Sequence, residues 1–189
     1  MDILDAIRKR RSIRRFQPQP IPQQTLEQLL ELIRFYPSGA NLQPLRFTLV
    51  TGDAARQAVF ACLRWAAYLP GYTMTEEERP TAYILIHGDR TAAGDFGFAA
   101  GAAAQTLMLG AQAFGLASCC LMIPDPKAAC EAVSVNAERF PALYAIALGY
   151  PAQTSCIEDQ TDTCRYRLDA NGDLIVPKKT LQELLLGQK

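Results

Sequence analysis

From Phe96 to Pro124 the chain carries no charged residue. A run of that length can cross a bilayer, so it must either enter one or be enclosed by protein. Composition decides between the two. The run is rich in Ala and Gly, which contribute little transfer energy, it holds Gln105 and Gln112, and no basic flank precedes it. It therefore reads as a buried helix, Gly94 to Gly115, followed by a buried strand, Leu116 to Ile123. Small residues at Gly97, Ala100, Gly101 and Ala104 let another helix approach closely. A helix more apolar than a monomer surface tolerates calls for a partner surface, and a homodimer supplies one.

The rest of the chain is organised around this core. Asp2 to Lys9 reads as a short helix. Gln17 to Pro22 holds three prolines in five residues and must be extended. Gln23 to Tyr36 has Leu26, Leu29, Leu30 and Ile33 at helical spacing, and Pro37-Ser-Gly ends it. Arg46 to Thr51 reads as a strand, Ala54 to Trp65 as a helix, Leu69 to Pro80 as a long loop and Thr81 to His87 as a buried strand. Pro126 to Val133 is a helix with proline in its first turn, and Leu143 to Leu148 a further strand. Two short β segments flank Asp169-Ala-Asn-Gly-Asp173, a hairpin pattern, before a helix from Thr180 to Leu186. Helices and strands mix without strict βαβ alternation, which gives an α+β fold.

Composition closes off several functions. Lys plus Arg equals Asp plus Glu at 19 each, so net charge gives no case for nucleic acid or an anionic membrane as partner. The six cysteines form no C-x-x-C pair, and His87 is the only histidine, which leaves no zinc pattern. No signal core or transit pattern follows Met1, and reduced thiols in a cytoplasm are the simpler expectation. His87 sits in a strand pattern and reads as structural. Glu76, Glu77 and Glu78 read as a solvated turn.

Two segments carry chemistry. In Arg8-Lys-Arg-Arg-Ser-Ile-Arg-Arg15, six of eight residues are basic. Guanidinium forks and a serine hydroxyl suit phosphate oxygens. On residue type alone a solvated basic face or a nucleic-acid contact remains open. The second, Tyr36-Pro-Ser-Gly-Ala-Asn-Leu-Gln-Pro-Leu-Arg-Phe47, joins helix to strand through groups able to bond a polar heterocycle, and a plain turn is the other reading.

Taken together they are more specific. Arg10-Arg-Ser-Ile-Arg-Arg-Phe16 resembles the opening R-x-S-x-R-x-F motif of the nitroreductase-like FMN-dependent oxidoreductases, and Pro37-Ser-Gly-Ala-Asn-Leu-Gln-Pro44 resembles their P-S-x-x-N-x-Q-P motif. The proline-rich connector and single helix between them also look like the family. So do Gly115-Leu-Ala-Ser118 after an Ala-rich helix, the closing Ala147-Leu-Gly-Tyr-Pro151, and the basic Val176-Pro-Lys-Lys-Thr-Leu181.

This resemblance implies a central, mostly antiparallel sheet flanked by helices, in an intertwined homodimer. One domain would span 1–189, with the tail 160–189 extending onto the partner. It implies FMN as cofactor and NAD(P)H-driven reduction of nitroaromatics, quinones or similar conjugated acceptors, by a ping-pong mechanism. Arg10 and Ser12 would hold the FMN phosphate with Arg11 nearby, and Arg14 would lie against the pyrimidine edge. Ser38, Gly39, Asn41 and Gln43 would add contacts, some from the partner subunit. Backbone near Leu121 and Met122 would face flavin N5, and Lys178 or Lys179 would add charge at the phosphate. Flavin carries the electron transfer, so no catalytic side chain and no metal is expected. No G-x-G-x-x-G follows a strand, in keeping with a nicotinamide that stacks on the flavin. Dehalogenation or flavin reduction on the same scaffold, or FMN binding without catalysis, are the alternatives. Two departures stand out: Leu45 follows Q-P where the family often has an aromatic, and Cys119-Cys-Leu-Met-Ile123 is rich in sulfur.

Overall fold

The computed structural model describes residues 2–160 and 162–187. Met1, Thr161, Gln188 and Lys189, which belong to the expected span 1–189 and in part to its tail, lie outside the described residues. Strands β1 (Leu45–Val50), β2 (Ala82–Gly88), β3 (Ala117–Met122) and β4 (Ala142–Gly149) form one sheet in the order β1-β2-β4-β3. Every pair in it is antiparallel, as the resemblance implied.

The central strands β2 and β4 are buried on both faces, so their pleat serves two cores. Tyr83, Leu85, Ala145 and Ala147 face a cluster that includes Val59 and Leu63 on one side. Ile84, Ile86, Ile146 and Leu148 face Leu26, Leu29 and the alanines of the long helix on the other. The first cluster lies under α3 (Asp53–Ala61) and α5 (Pro126–Glu131), the second under α2 (Gln23–Glu31) and α4 (Phe96–Ala113).

Helix α4 is the expected uncharged helix, trimmed at both ends. Asp95 caps it by accepting from the amides of Gly97 (2.8 Å) and Phe98 (3.1 Å), which stabilises a helix by about 1 kcal/mol. At its other end Leu116 N donates to Ala111 O (2.8 Å) and Gly115 N to Gln112 O (3.2 Å), with Gly115 at φ +74°. This is a Schellman closure, which needs a left-handed residue there. Gly110 is where the end of α2 and the turn after it cross: a Cβ on it would collide with Leu32 Cδ1 and lie 2.9 Å from Leu29 Cδ1. Phe98 on α4 and Phe114 just past its end remain exposed. Among the described residues no helix is long and apolar enough to cross a membrane.

The structure differs from expectation at several ends. The helix beginning at Gln23 tightens into a 3₁₀ turn over Leu32–Phe35, and Tyr36 turns extended before Pro37. The helix expected to reach Trp65 stops at Ala61. Trp65 folds back to stack on Phe60 (5.4 Å), whereas on a continuous helix residues five apart point about 140° from one another. The loop before β2 contains a 3₁₀ turn at Glu76–Glu78 with a Thr75–Glu78 capping box. Only Glu76 and Glu77 are fully exposed; Glu78 is pinned to Thr75 N and to Arg15. In the tail, β6 (Arg167–Leu168) and β7 (Leu174–Lys178) form the expected hairpin, but β7 also pairs in parallel with β5 (Ser155–Asp159). The final helix α6 is a single turn, Leu181–Leu184.

Candidate cofactor site

The basic segment leaves α1 (Ile3–Lys9), whose last turn ends in Arg8 and Lys9, cations placed favourably at a helix C-terminus. It then runs past the end of the sheet. Ser12 forms a parallel bridge with Ser118, and Ile13 N donates to Ser118 O (3.1 Å). Phe16 bridges Pro151, its amide donates to Glu78 O (2.9 Å), and Gln17 N donates to Tyr150 O (2.8 Å). Ile13 and Phe16 drop into the core. Phe16 is 1% exposed, and Gly149 is the residue that admits it.

Those anchors hold the arginines in a half-buried row. Arg11 Nη1 donates to the carbonyls of Arg8 (2.6 Å) and Arg10 (2.7 Å). Arg14 Nη1 donates to Ser12 O (3.4 Å), and the Arg14 guanidinium lies over the Tyr166 ring at 4.4 Å. Arg15 pairs with Glu78 (Nε–Oε1 3.5 Å) and stands near Tyr72. Among the described residues no carboxylate pairs with Arg10, Arg11 or Arg14. The Nε atoms of Arg11 and Arg14 are buried without a hydrogen-bond partner. Burial, and secondarily the charge of Arg11, lowers the pKa of Arg10 from its ordinary value. A row of partly desolvated cations with open donors calls for an anion.

Strand β3 is an outer strand, and the basic segment covers its free edge only at Ser118. Strand alternation turns the backbone of Cys120 and Met122 the same way as Ser118, and that of Leu121 toward β4. An open edge thus continues from Ser12 toward Met122, whose side chain is 77% exposed. Leu121 and Cys119 are buried. Burial, with secondary repulsion from Cys119, pushes the Cys120 thiol up to about 11, and burial raises Cys119 as well. Both thiols are therefore neutral, inert lining rather than nucleophiles.

The second segment stands elsewhere. Ser38 Oγ accepts from Gln43 N (3.1 Å), and Gln43 Nε2 donates to Asn41 O (3.3 Å). Ala40, Asn41 and Gln43 all have positive φ (+47°, +55° and +46°). Three left-handed non-glycine residues in one exposed turn are costly and collect at functional loops. Gly39, Asn41 and Gln43 are exposed and Ser38 half-buried. This loop enters β1 beside Gly88, while Ser12 sits level with Ala82 across the sheet. Four strand spacings, from β1 across β2, β4 and β3 to Ser12, separate the two segments by roughly 19 Å across the sheet, and roughly 20 Å separates them along it.

Lys178 and Lys179 are exposed at the far end of β7. Among the described residues no hydrogen bond joins them to the arginines. It is the other end of the tail hairpin that reaches the basic segment: buried Gln153 accepts from Arg14 N (3.5 Å) and donates to Gly172 O (2.9 Å). Gln153 and Tyr166 are not marked in the sequence, since a single Gln or Tyr in a polar tail carries no periodic signal, and Glu78, expected in a solvated turn, is instead the partner of Arg15. His87 accords with its structural reading: it bridges Thr48 Oγ1 (3.0 Å) and Phe140 O (3.1 Å). No metal-ligand cluster occurs among the described residues.

Comparisons with known proteins point the same way. The chain is 30% identical to an NADH dehydrogenase of Thermus thermophilus, over 81% of this chain and 88% of that protein. It is also 30% identical to the 5,6-dimethylbenzimidazole synthase of Rhodospirillum rubrum, over 80% and 83% respectively. A crystal structure from Desulfovibrio desulfuricans, described as a nitroreductase in complex with FMN, superimposes with a TM-score of 0.75 at 29% identity, covering 100% of this chain and 98% of that one. The model of the Nitroreductase family matches residues 7–150, which takes in the arginine row, the Ser38–Gln43 turn and the whole four-stranded sheet: the chain belongs to the nitroreductase family.

Proposed function

We propose that the protein is an FMN-dependent oxidoreductase that uses NAD(P)H to reduce a small conjugated acceptor such as a nitroaromatic or quinone. The observation that carries this reading is the row Arg10, Arg11 and Arg14, with no carboxylate partner and with buried open donors, at the head of the free β3 edge. FMN, when bound, supplies a redox centre that accepts a hydride and passes two electrons on. The chain's own part is to hold and tune it. Arg10, Arg11 and Ser12 take the phosphate oxygens as charge-assisted bonds. Arg14 places a positive charge by the pyrimidine edge, favouring the reduced state. The main chain of Met122, turned to the free edge, would line the ring there; that of Leu121, expected beside it, points instead into the pairing with β4.

The Ser38–Gln43 turn lies too far from this row to serve the same ligand within one chain. We infer that it serves the row of a second copy, so that a homodimer carries two sites, each built from both chains. The exposed Phe98 on α4 and Phe114 just past its end supply apolar surface for that dimer. Residues 1–189 then form one unit whose tail reaches the partner, the arrangement that could deliver Lys178 or Lys179 to a phosphate. One pocket over the flavin for both donor and acceptor gives ping-pong kinetics, with parallel double-reciprocal lines. Unpaired thiols accord with a cytoplasmic location. The test is direct. Heat-denatured protein should release FMN in proportion to chain, and NADH or NADPH should bleach bound FMN until a quinone restores it. Protein that releases no flavin and leaves added FMN fully fluorescent refutes the reading.

A further inference from the structure

A cavity of about 460 Å³ opens at the end of the sheet, between α3, the turn at Glu76–Glu78 and the proline-rich connector. It shares no lining residue with the arginine row or the Ser38–Gln43 turn. Tyr83 is 0% exposed, its ring packs in the α3-side core, and it borders this cavity with a buried hydroxyl that has no hydrogen-bond partner among the described residues. Thr81 and Arg79 line the same cavity, and Thr81 Oγ1 and Arg79 Nε are also buried without a partner among the described residues. Three open donors around one space are an expensive arrangement unless something there accepts from them.

The charges define what that acceptor is. Arg56 and Arg79 both act on the Tyr83 hydroxyl. Arg56 is held by the carbonyls of Thr51 (3.0 Å) and Pro80 (3.2 Å) and by Asp53. Arg79 lies over Phe60 (4.4 Å) and reaches Glu76 (3.7 Å). The acids are exposed, with the side chains of Asp53 and Glu76 85% and 80% in solvent and Glu77 exposed beside them, so three carboxylates stand at the mouth and the two guanidiniums behind them. Burial holds the Tyr83 phenol far above its ordinary pKa, which keeps it a donor at any physiological pH. A negative mouth disfavours a dianion, and apolar Ile21 and Leu26 line the wall. A monoanion with an apolar body suits both features.

We propose that this cavity is a second ligand site, which takes the carboxylate of a small organic acid on Tyr83, Thr81 and Arg79 and lays its carbon body along Ile21 and Leu26. The site is independent of the flavin reading. Benzoate titrated into the protein as purified, followed by calorimetry, tests it. Saturable binding near one per chain is expected, with the visible spectrum of bound FMN unchanged. Tyr83→Phe, which removes only an unpartnered hydroxyl, should keep the flavin and the melting temperature and bind benzoate at least about tenfold more weakly, the loss of one hydrogen bond to a charged group. Thr81→Val should act the same way. Absence of saturation at tens of millimolar, wild-type affinity in Tyr83→Phe, or a benzoate-induced shift of the flavin spectrum each overturns the proposal, the last placing the acid over the flavin. Inorganic phosphate displacing benzoate at equal or lower concentration overturns the ligand class. A protein that proves to carry no flavin defeats the proposed function and leaves this titration to stand alone.

Discussion

Gly149→Ala joins two motifs in one measurement. A Cβ at position 149 would lie 2.8 Å from Phe16 Cδ1, 3.0 Å from its Cβ and 3.1 Å from its Cγ. The nearest neighbours include the Cβ of a core residue tied at its backbone to Pro151 and Glu78, so no flexible tip can swing away. Overpacking of this kind costs about 1–3 kcal/mol, or a melting-temperature loss of roughly 2–4 °C per kcal/mol at this chain length. The strain also has a direction. Moving Phe16 outward moves Arg14 and Arg15, so FMN affinity should fall along with stability, although position 149 touches no proposed ligand contact. Urea unfolding and fluorescence-quench titration of FMN measure the two effects. Phe16→Leu in the same chain should relieve the clash, giving a double-mutant coupling of about 1 kcal/mol or more. Strictly additive losses, or a Gly149→Ala protein as stable as wild type, would refute the reasoning.

Other expectations can be checked alongside. Arg10→Ala should weaken FMN binding by about 1.5–3 kcal/mol, the range for a hydrogen bond to a charged group, whereas Arg14→Ala should chiefly lower the flavin reduction potential; dialysis against FMN and potentiometry separate the two. Burial lowers the pKa of His87 in the folded chain, so the unfolded chain takes the proton first as pH falls. Stability should therefore decline as pH drops below about 6.5, and His87→Gln should flatten that slope in urea titrations at pH 7 and pH 5.5. Cys156 and Cys164 are exposed while Cys119 and Cys130 are buried, so native protein should react with a thiol reagent first at the former pair, and unfolded unreduced protein should reveal all six thiols.

Much of this was legible in the residues. The uncharged run gave α4 and β3 because no other element could enclose so much apolar chain, and both arrived within two or three residues of expectation. Glycines and prolines placed most turns. The parallel strand β5 was not legible: in Ser155–Asp159 no residue is fully buried, so no period-2 pattern exists, and its pairing depends on β7 some twenty positions away. Trp65 left its helix to stack on Phe60, a tertiary gain that overrides propensity. The basic cluster was visible because six like charges stand together in eight residues, while its expected role toward the FMN phosphate came only from the resemblance. Gln153 could not, because it works through burial and two long-range hydrogen bonds, which leave no trace in local sequence.

The placement of the arginine row and the Ser38–Gln43 turn at opposite corners of one sheet has a genetic consequence under the shared-site reading. Two defective alleles can rescue one another. A chain damaged at Arg10, paired with a chain damaged in the Ser38–Gln43 turn, gathers both lesions into one pocket and leaves the other pocket wholly intact. At FMN concentrations too low to fill a damaged pocket, co-expression should return up to half the activity per mixed dimer, where either lesion alone impairs both pockets. Two lesions within the same segment cannot complement in this way, so a simple cross between alleles sorts residues by the corner to which they belong.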